Sequence, residues 1–205
     1  MLNTGVTTGT PSRIPFGAGV YFSGITYDET VAPTEEAVSK AIIGATQEGG
    51  TTTITPEFFD IPADGVQVLV EELKRKIGEK AQMEVSFLEL TPDLLNHQVT
   101  GKLGESTDKN FHVITSDDQL RPGHFYSGFG YWGHHTDGRE MIILFKKALC
   151  TSGHVAENKP KTNTVFKGTF ECHSDIDYGV TKLPYAIFIR KEEGWTAVNK
   201  DEVAV

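Results

Sequence analysis

The sequence predicts a mainly β, single-domain antiparallel β-sandwich or barrel with one flanking α-helix and a long loop. Three observations lead to this prediction. Apolar and polar residues alternate in several short segments, most clearly at 83–87. Turn residues separate these segments at short intervals. One segment alone, at 91–98, has a complete helix start. A chain of 205 residues is long enough for one well-filled core, so one domain is the default.

The two ends of the chain are predicted to lie outside the domain, which spans 16–190. Residues 1–15 are rich in Thr and Gly and have no periodic apolar pattern, so we expect a flexible N-terminal arm. Residues 191–205 are polar and form a C-terminal tail. The first strand is predicted at 16–22, where aromatic and β-branched residues follow a Gly turn.

Residues 25–50 are predicted to form the long loop. Pro33 and Thr34 followed by two acidic residues resemble a helix start, so a short, weak helix inside this segment is the alternative. Gly49 and Gly50 are expected to stop any regular element. Long loops are uncommon in compact domains and tend to be functional.

The other strands are predicted from β-branched or alternating residues, at 51–55, 58–61, 66–70, 83–87, 111–115, 123–132, 141–145, 165–172 and 184–190. The charged stretch 71–80 could be a hairpin tip or a helical turn, and 102–110 is predicted to be a polar loop. The apolar run 141–145 fits a strand that is covered on both faces. In the strand 123–132, one face is predicted to carry Phe125, Ser127, Phe129 and Tyr131.

The helix is predicted at about 91–98. Thr91 can cap its N-terminus, Pro92 suits the first helical position, and Asp93 places a negative charge in the first turn. The pattern ends before Gly101.

The histidines are the first candidates for chemistry. His134 and His135 lie at a Gly-rich hairpin turn, and His124 precedes an aromatic segment. A metal site needs converging ligands with a defined spacing. Adjacent turn histidines point apart, so solvent-exposed turn residues are predicted here and a metal site is the alternative.

Cys172 and His173, with Asp175 and Asp177 nearby, invite the hypothesis of a catalytic thiol or a cation loop. Cys172 has the same strand phase as Phe170, which favours a buried core thiol. No secretory signal precedes the domain, so Cys150 and Cys172 are predicted to be free thiols in a reducing compartment.

No other segment predicts an active site. The Gly17-Ala18-Gly19 segment is not followed by a helix pattern, as a dinucleotide site requires. The aromatic cluster of 125–132 lacks interleaved Lys or Arg, which favours core packing over base stacking. We therefore predict no catalytic residues, no cofactor-binding residues, no metal and no enzymatic activity.

The charge argues against a conventional DNA-binding protein. The chain carries 28 Asp and Glu against 19 Lys and Arg, a formal net charge of -9, whereas DNA binding needs a basic surface. The densest basic group, Lys74-Arg75-Lys76, is offset by Glu71, Glu72 and Glu79. No apolar run is long enough to span a bilayer, and we expect a chain that is made in a cytoplasm without contact with a membrane.

An ordered set of segments resembles a known family. Residues 43–51 running into 59–61 and 64–65 resemble the early part of tail tube proteins of long-tailed, non-contractile bacteriophages. Residues 85–94 look like that family's strand leading into its helix. Its late strands are matched by 148–153, 170–173 and 184–187. The resemblance covers about 16–190 and extends to the tube subunits of contractile tails and of type VI secretion.

The resemblance implies a structural virion protein located in the phage tail and assembled in the host bacterial cytoplasm. Its partners would be itself, as homohexameric rings stacked into a tube, and other tail proteins such as the tape measure, terminator and distal tail proteins. DNA would pass through during genome delivery without specific binding. The alternatives are another small β-fold virion protein, such as a tail terminator, baseplate or decoration protein, or a ligand-binding β-barrel.

Two expectations follow for assembly. In the segment 25–50, the apolar Ala37, Ala41 and Ile42 are predicted to dock on a neighbouring subunit. The acidic composition predicts a net-negative lumen that does not grip phosphates.

Overall fold

The computed structural model describes residues 14, 19–158 and 160–191. The predicted arm 1–15, apart from Ile14, and the predicted tail 191–205, apart from Lys191, lie outside these residues, as do Gly17 and Ala18. The strands are β1 (Val20–Phe22), β2 (Thr46–Asp60), β3 (Lys74–Phe87), β4 (Gly101–Glu105), β5 (His112–Ser116), β6 (Tyr126–His134), β7 (Glu140–Cys150), β8 (Val155–Glu157), β9 (Val165–Cys172) and β10 (Tyr185–Ile189). The helices are α1 (Glu35–Ser39) and α2 (Pro92–Val99).

The predicted mainly β, antiparallel fold is confirmed. Eight strands form one sheet in the order β1-β6-β7-β9-β3-β2, with β10 paired to β7 and β8 paired to β9. The strands β4 and β5 form a separate two-stranded sheet. Strand β7 is the junction, because its first part pairs with β6 and β10 and its last three residues pair with β9.

The two faces of β7 bury different apolar clusters. The larger cluster joins β1, β3, β6, β7 and β9 and contains Tyr21, Met83, Phe87, Phe129, Phe145 and Phe170. The smaller cluster lies on the opposite face and contains Phe22, Val38, Trp132, Ile142 and Leu144. The continuous apolar run of β7 therefore reflects a strand that is covered on both faces, as predicted.

Helix α2 has the predicted start. The Thr91 hydroxyl accepts a hydrogen bond from the Leu94 amide at 3.1 Å, and Pro92 occupies the first turn. Leu94 is fully buried in the larger cluster. The helix ends at Thr100, whose left-handed backbone leads directly into β4. The segment 102–110, predicted to be a loop, thus begins as a strand.

The segment 25–50 contains α1, capped by Thr34, which confirms the alternative of a short helix over an unbroken long loop. The expectation that Gly49 and Gly50 stop any regular element is wrong. Strand β2 begins at Thr46, and the positive φ angles of Glu48 (64°) and Gly49 (70°) form an irregularity inside the strand rather than its end. Local glycine content could not distinguish a bulge from a stop.

The same segment packs on its own subunit. Val38 of α1 is buried in the smaller cluster, and Ala41 packs against that cluster. The amide of Ile43 donates to the Tyr21 carbonyl at 3.1 Å, and Ile42 forms an isolated bridge with Phe22. The hypothesis that this segment needs a neighbouring subunit to cover its apolar residues is therefore wrong for Ala41.

Two strand predictions also need correction. Residues 66–70, predicted as a strand, lie in an exposed loop. Among the described residues, no strand pairs with them. In β6, Tyr126 joins Phe129 in the larger cluster while Ser127 is exposed. The positive φ of Gly128 (57°) interrupts the strict alternation that was predicted.

Candidate functional site

The most prominent surface is a protruding hairpin formed by the far ends of β2 and β3. The two strands pair continuously from Phe58 and Lys76 to Asp60 and Lys74, beyond the part that contacts the core. We call residues 58–77 the arm and its loop 61–70 the tip. The arm exposes Phe58, Phe59, Ile61, Val66, Val68, Leu69 and Ile77.

The tip is the most apolar part of the arm. Val68 is 74% exposed and Leu69 is 80% exposed. Singly scattered surface apolar residues are ordinary, but a contiguous group on a protruding element marks an interaction surface. The tip backbone is held at its root, where the Ile61 amide donates to the Leu73 carbonyl at 2.9 Å.

Opposite charges are separated along the arm. Asp64, Glu71 and Glu72 lie in or beside the tip, and no ion pair holds them within the described part of the chain. Nearer the body, Lys74 pairs with Asp60 at 3.0 Å and Lys76 pairs with Glu79 at 3.0 Å. The carboxylates at the tip are thus available to a partner.

Arg75 has a different environment from the two lysines that flank it. Its guanidinium donates to the carbonyl oxygens of Glu72 at 2.7 Å and Lys74 at 3.1 Å. Backbone carbonyls do not neutralise its charge, and no carboxylate is paired with it among the described residues. Arg75 is therefore an uncompensated cation at the base of the arm.

A second protruding element, the loop 174–183, is fixed by charged contacts. Asp175 accepts from the Tyr178 amide at 2.8 Å and pairs with Lys146 and Lys147, each at 3.1 Å. These contacts, led by the Tyr178 amide, lower the pKa of Asp175 to about 2. The carboxylate therefore stays ionised at neutral pH and secures the loop to β7.

The segment before α1 provides a second anchor for this loop. Glu29 pairs with Lys182 at 2.7 Å and accepts a hydrogen bond from the Tyr178 hydroxyl. The ammonium of Lys146 lies 4.9 Å from the centre of the Tyr178 ring. With its polar residues engaged in this way, the loop still leaves two apolar side chains almost fully in solvent, Ile176 at 88% and Val180 at 85% exposure.

A groove lies between the base of the arm and the loop 174–183. Its volume is about 430 Å³. Ile77 and Val180 supply exposed apolar walls, and Leu183 adds a partly buried one. The other lining residues are Lys76, Gly78, Glu79, Ser174, Thr181 and Lys182. Lysine stems cover apolar surface while their ammonium groups stay in water. Both ammonium groups are already paired, Lys76 with Glu79 and Lys182 with Glu29, so the groove offers an apolar surface rather than a free charge.

The outer face of β2, β3 and β9 is polar. Register places Thr51, Thr53 and Thr55 of β2 beside residues 80–84 of β3 and, one strand further on, residues 167–171 of β9. We call this surface the open face. It contrasts with the outer face of β7, which the smaller cluster and α1 cover.

Both lysines of the open face are engaged in ion pairs. Lys80 pairs with Glu171 at 2.8 Å, and Lys167 pairs with Glu157 at 2.6 Å. Glu84 accepts a hydrogen bond from Gln82 at 3.3 Å and has no cationic partner among the described residues. The uncompensated charge on this face is therefore acidic, which disfavours phosphate binding.

The histidines occupy three different environments, so the prediction of exposed turn residues is only partly right. His134 is exposed. His124 is buried, accepts a hydrogen bond at Nδ1 from the Arg121 amide at 3.1 Å, and places Nε2 3.6 Å from Asp117. His135 is half-buried, and its two ring nitrogens have no hydrogen-bond partner among the described residues. Tertiary packing around the turns, which the local sequence does not specify, causes the difference.

Both cysteines are buried free thiols in the larger cluster. Cys150 pairs with Phe170 across β7 and β9, and Cys172 pairs with Ala148, so the two cysteines are diagonal neighbours. Diagonal Cα atoms in a sheet lie about 7–8 Å apart, beyond the usual disulfide range. Burial raises the pKa of Cys172 to about 12 and also raises the pKa of Cys150. Neither thiol has the lowered pKa of a nucleophile.

The remaining candidates for chemistry do not converge. Across residues 19–158 and 160–191, no group of three or more His, Cys, Asp or Glu side chains could hold a metal ion. Asp175 is engaged by lysines rather than by Cys172 or His173. No helix in the described part of the chain is long and apolar enough to cross a membrane.

Sequence reasoning missed the arm as an interaction surface. It interpreted 66–70 as a strand because Val66, Val68 and Val70 alternate. The available signal was the position of this run between the turn at 62–65 and the charged stretch that begins at Glu71. An alternating run enclosed within a hairpin connection has no strand to pair with.

Neither a protein-family model nor a curated protein matches the sequence. Among solved structures, the fold is similar to a chain described as the virion of a native gene transfer agent (GTA) particle. The TM-score is 0.41 and the identity 7%, over 83% of this chain and 95% of that chain. A likeness this distant supports no inference about the function of this chain.

Proposed function

We propose that this chain is a structural virion protein that polymerises into the tail tube of a bacteriophage. The observation that carries the proposal is the arm, which exposes seven large apolar side chains on a hairpin outside the core. A monomer gains nothing from such a surface and risks aggregation, whereas an assembling subunit buries it against its neighbour. The ordered resemblance to tail tube proteins supports the same conclusion.

Unpaired strand edges support lateral assembly. Among the described residues, β2 pairs with β3 alone and β10 pairs with β7 alone. Strand β10 also exposes Ile187 and Ile189. Edges of this kind can be completed by a neighbour's strand, and a head-to-tail contact closes into a ring when its rotation permits. Six subunits per ring is the number that the resemblance implies.

The open face suits the wall of a DNA conduit. Its threonines offer polar groups, its two lysines are neutralised by glutamates, and its uncompensated charge is that of Glu84. DNA would find few cations with which to replace its counterions, so it would pass without being held. The proposed role therefore needs no catalytic residue, no cofactor and no metal.

The test is the assembly state of the purified protein. We expect concentrated protein to form hollow tubes in electron micrographs, and Leu69→Asp to prevent them because it places a carboxylate in the apolar tip. Leu120→Asp is the matched control, since Leu120 is also an exposed leucine but lies outside the arm. Closed rings without elongation would instead indicate a terminator, baseplate or decoration protein.

A ligand-binding barrel is the second candidate, and one cavity favours it. A space of about 380 Å³ separates β2 from the inner face of β1, β6, β7 and β10, with Tyr21, Tyr131, Met141, Ile143 and Ile187 among its lining residues. Its volume lies within the range of small-molecule sites. A protein that stays monomeric at every concentration and binds an apolar dye in this cavity would replace the tube proposal with this one.

A further inference from the structure

We propose that the cavity between β2 and the inner face of β1, β6, β7 and β10 binds a small, uncharged aromatic molecule that carries a hydrogen-bond acceptor. Such a site lies inside one subunit, so it neither requires nor replaces assembly into a tube. Its lining also specifies the class of ligand, which the ligand-binding alternative leaves open.

The walls of the cavity are apolar and extend from the core. Tyr21 and Ile143 belong to the larger cluster, and Ile54, Tyr131 and Met141 pack against it while remaining partly exposed. The cavity therefore continues the core outward. Its volume of about 380 Å³ is at the small end of the range for ligand sites, which suits a molecule of about two fused rings.

One buried hydroxyl in the wall lacks a hydrogen-bond partner. Tyr21 is only 2% exposed, and within the described part of the chain no hydrogen bond engages its hydroxyl. Burial, together with the nearby Tyr131 side chain, raises the pKa of Tyr21 to about 12, so the hydroxyl keeps its proton at neutral pH. A buried donor without a partner costs free energy, which a ligand acceptor would recover.

Gly50 of β2 makes room for this hydroxyl. A Cβ at Gly50 would lie 2.2 Å from the hydroxyl oxygen of Tyr21, so any larger residue would collide with it. Gly50 itself lines the cavity. The Tyr21 ring therefore reaches from β1 to β2 and presents its hydroxyl at the wall of the cavity.

The lining disfavours a charged ligand and favours an aromatic one. No charged side chain lines the cavity among the residues that the structure describes. A charge placed there would lose its hydration without gaining a counter-charge. The rings of Tyr21 and Tyr131, with centres 5.2 Å apart and planes at 50°, offer both faces and edges, and the Met141 thioether packs well against aromatic rings.

The entrance lies beside two strand edges. Ile187 of β10 is 46% exposed, more than the other apolar lining residues, and so marks the mouth. Among the described residues, β10 pairs with β7 alone and β2 pairs with β3 alone. A ligand can therefore enter without breaking main-chain hydrogen bonds. Once bound, it contacts strands on both sides of the cavity and is expected to stabilise the folded subunit.

Titration with prodan tests the inference, because this fluorescent naphthalene is uncharged and carries a ketone. We expect saturable one-to-one binding, a blue shift of the emission, and a melting temperature that rises with prodan concentration. The matched charged probe is 6-dimethylamino-2-naphthoate, in which a carboxylate replaces the ketone. It is expected to bind at least about tenfold more weakly, because the cavity offers its charge no partner.

A hydroxyl deletion tests the proposed donor. Tyr21→Phe keeps the ring and is expected to weaken prodan binding between about twofold and tenfold, the net value of one hydrogen bond. The ketone-free probe 2-dimethylaminonaphthalene is expected to bind the parent and Tyr21→Phe equally. Tyr126→Phe is the matched control, because Tyr126 is buried in the same cluster but does not line the cavity.

A variant at the mouth tests the location. Ile187→Asp places a carboxylate at the entrance and is expected to weaken prodan binding at least about tenfold. Ile189→Asp is the control, because Ile189 is also an exposed residue of β10 but does not line the cavity. Circular dichroism and thermal melting check that each variant folds.

The outcomes separate this site from the tube proposal. Folded parent protein without saturable prodan binding, or with the same affinity as Ile187→Asp, would overturn the site and leave the tube proposal intact. Equal weakening by Tyr21→Phe and Tyr126→Phe would reject Tyr21 as the donor and, with it, the ligand class. Protein that binds prodan as expected but never polymerises would overturn the tube and keep the site.

Discussion

Strand β3 passes through two environments that invite comparison, the body and the arm. In the body, Met83, Val85 and Phe87 are buried and alternate with polar residues on the open face. In the arm, Ile77 and the basic residues that precede it are exposed. Apolar side chains of β3 thus stabilise the subunit where they lie in the body and remain available to a partner where they lie in the arm. Burial, rather than hydrophobicity alone, decides which role a residue has.

The largest effect is expected from the body. Phe170 is fully buried and lies 4.6 Å, centre to centre, from the ring of Phe129. Phe170→Ala is expected to lower the free energy of unfolding by about 3–5 kcal/mol. The matched arm variant, Phe59→Ala, is expected to change it by less than about 0.5 kcal/mol. Urea unfolding of both measures the difference, and equal losses would mean that the arm packs on the body.

Two glycines test how closely the backbone is packed within the body. A Cβ at Gly128 would lie 1.6 Å from the Ile25 carbonyl oxygen, whereas a Cβ at Gly138 would meet nothing within 4 Å. Both have positive φ, 57° and 84°. Gly138→Ala is expected to cost about 1 kcal/mol from backbone strain, and Gly128→Ala about 3 kcal/mol because the close contact adds to it. Thermal unfolding of the pair tests this, and equal costs would show that the Ile25 segment yields easily.

A smaller, pH-dependent effect is expected where the loop 174–183 meets the body. The pKa of Asp175 is lowered from 3.8 to about 2. The unfolded state therefore binds more protons in this interval, and the stability that Asp175 contributes is lost as pH falls from about 4 to about 2. Asp175→Asn is expected to remove this part of the pH dependence. Melting temperatures at pH 7 and across that interval measure it, and an unchanged profile would assign the acid sensitivity to other carboxyls.

The last prediction compares the reactivity of thiols buried in the body with that of a thiol at the tip of the arm, and the smallest effect on stability is expected here. Cys172 is buried and its pKa is raised to about 12, so its thiolate is scarce at neutral pH. An introduced Val68→Cys thiol at the tip is expected to react with a thiol reagent orders of magnitude faster than Cys150 and Cys172 do in the folded protein. Cys172→Ala provides the background rate. Rapid reaction of the native cysteines without denaturant would contradict the burial of the larger cluster.

The sequence predicted the elements whose signals are local. Thr91, Pro92 and Asp93 specify the start of α2 by capping and by charge, and these interactions lie within one turn. The alternation in 165–172 predicted the inward Phe170 and Cys172 correctly. The apolar run of β7 predicted a strand covered on both faces. Each of these signals depends on periodicity or on a cap, which neighbouring residues express without help from distant ones.

The candidate site was harder to predict. The sequence was compatible with either a hairpin tip or a helical turn at the charged stretch 71–80. In the structure, residues 71–73 form a short 3-10 turn and β3 begins directly after them. The segment 25–50 was assigned to a neighbouring subunit because its apolar residues had no evident partner in sequence. Phe22 and Trp132 pack against Val38 within the same subunit. In the sequence they lie 16 residues before Val38 and 94 residues after it.

The sequence by itself determined the antiparallel β class, the position of α2, the two-sided burial of β7 and the excess of acidic residues. Tertiary structure alone decided that Val68 and Leu69 remain exposed, that Val38 is buried, and that Glu29 meets Lys182 across 153 residues. The physical reason is the range of the interactions. Caps and alternation act between neighbours in the chain, whereas the burial of a side chain depends on which distant strands arrive to cover it.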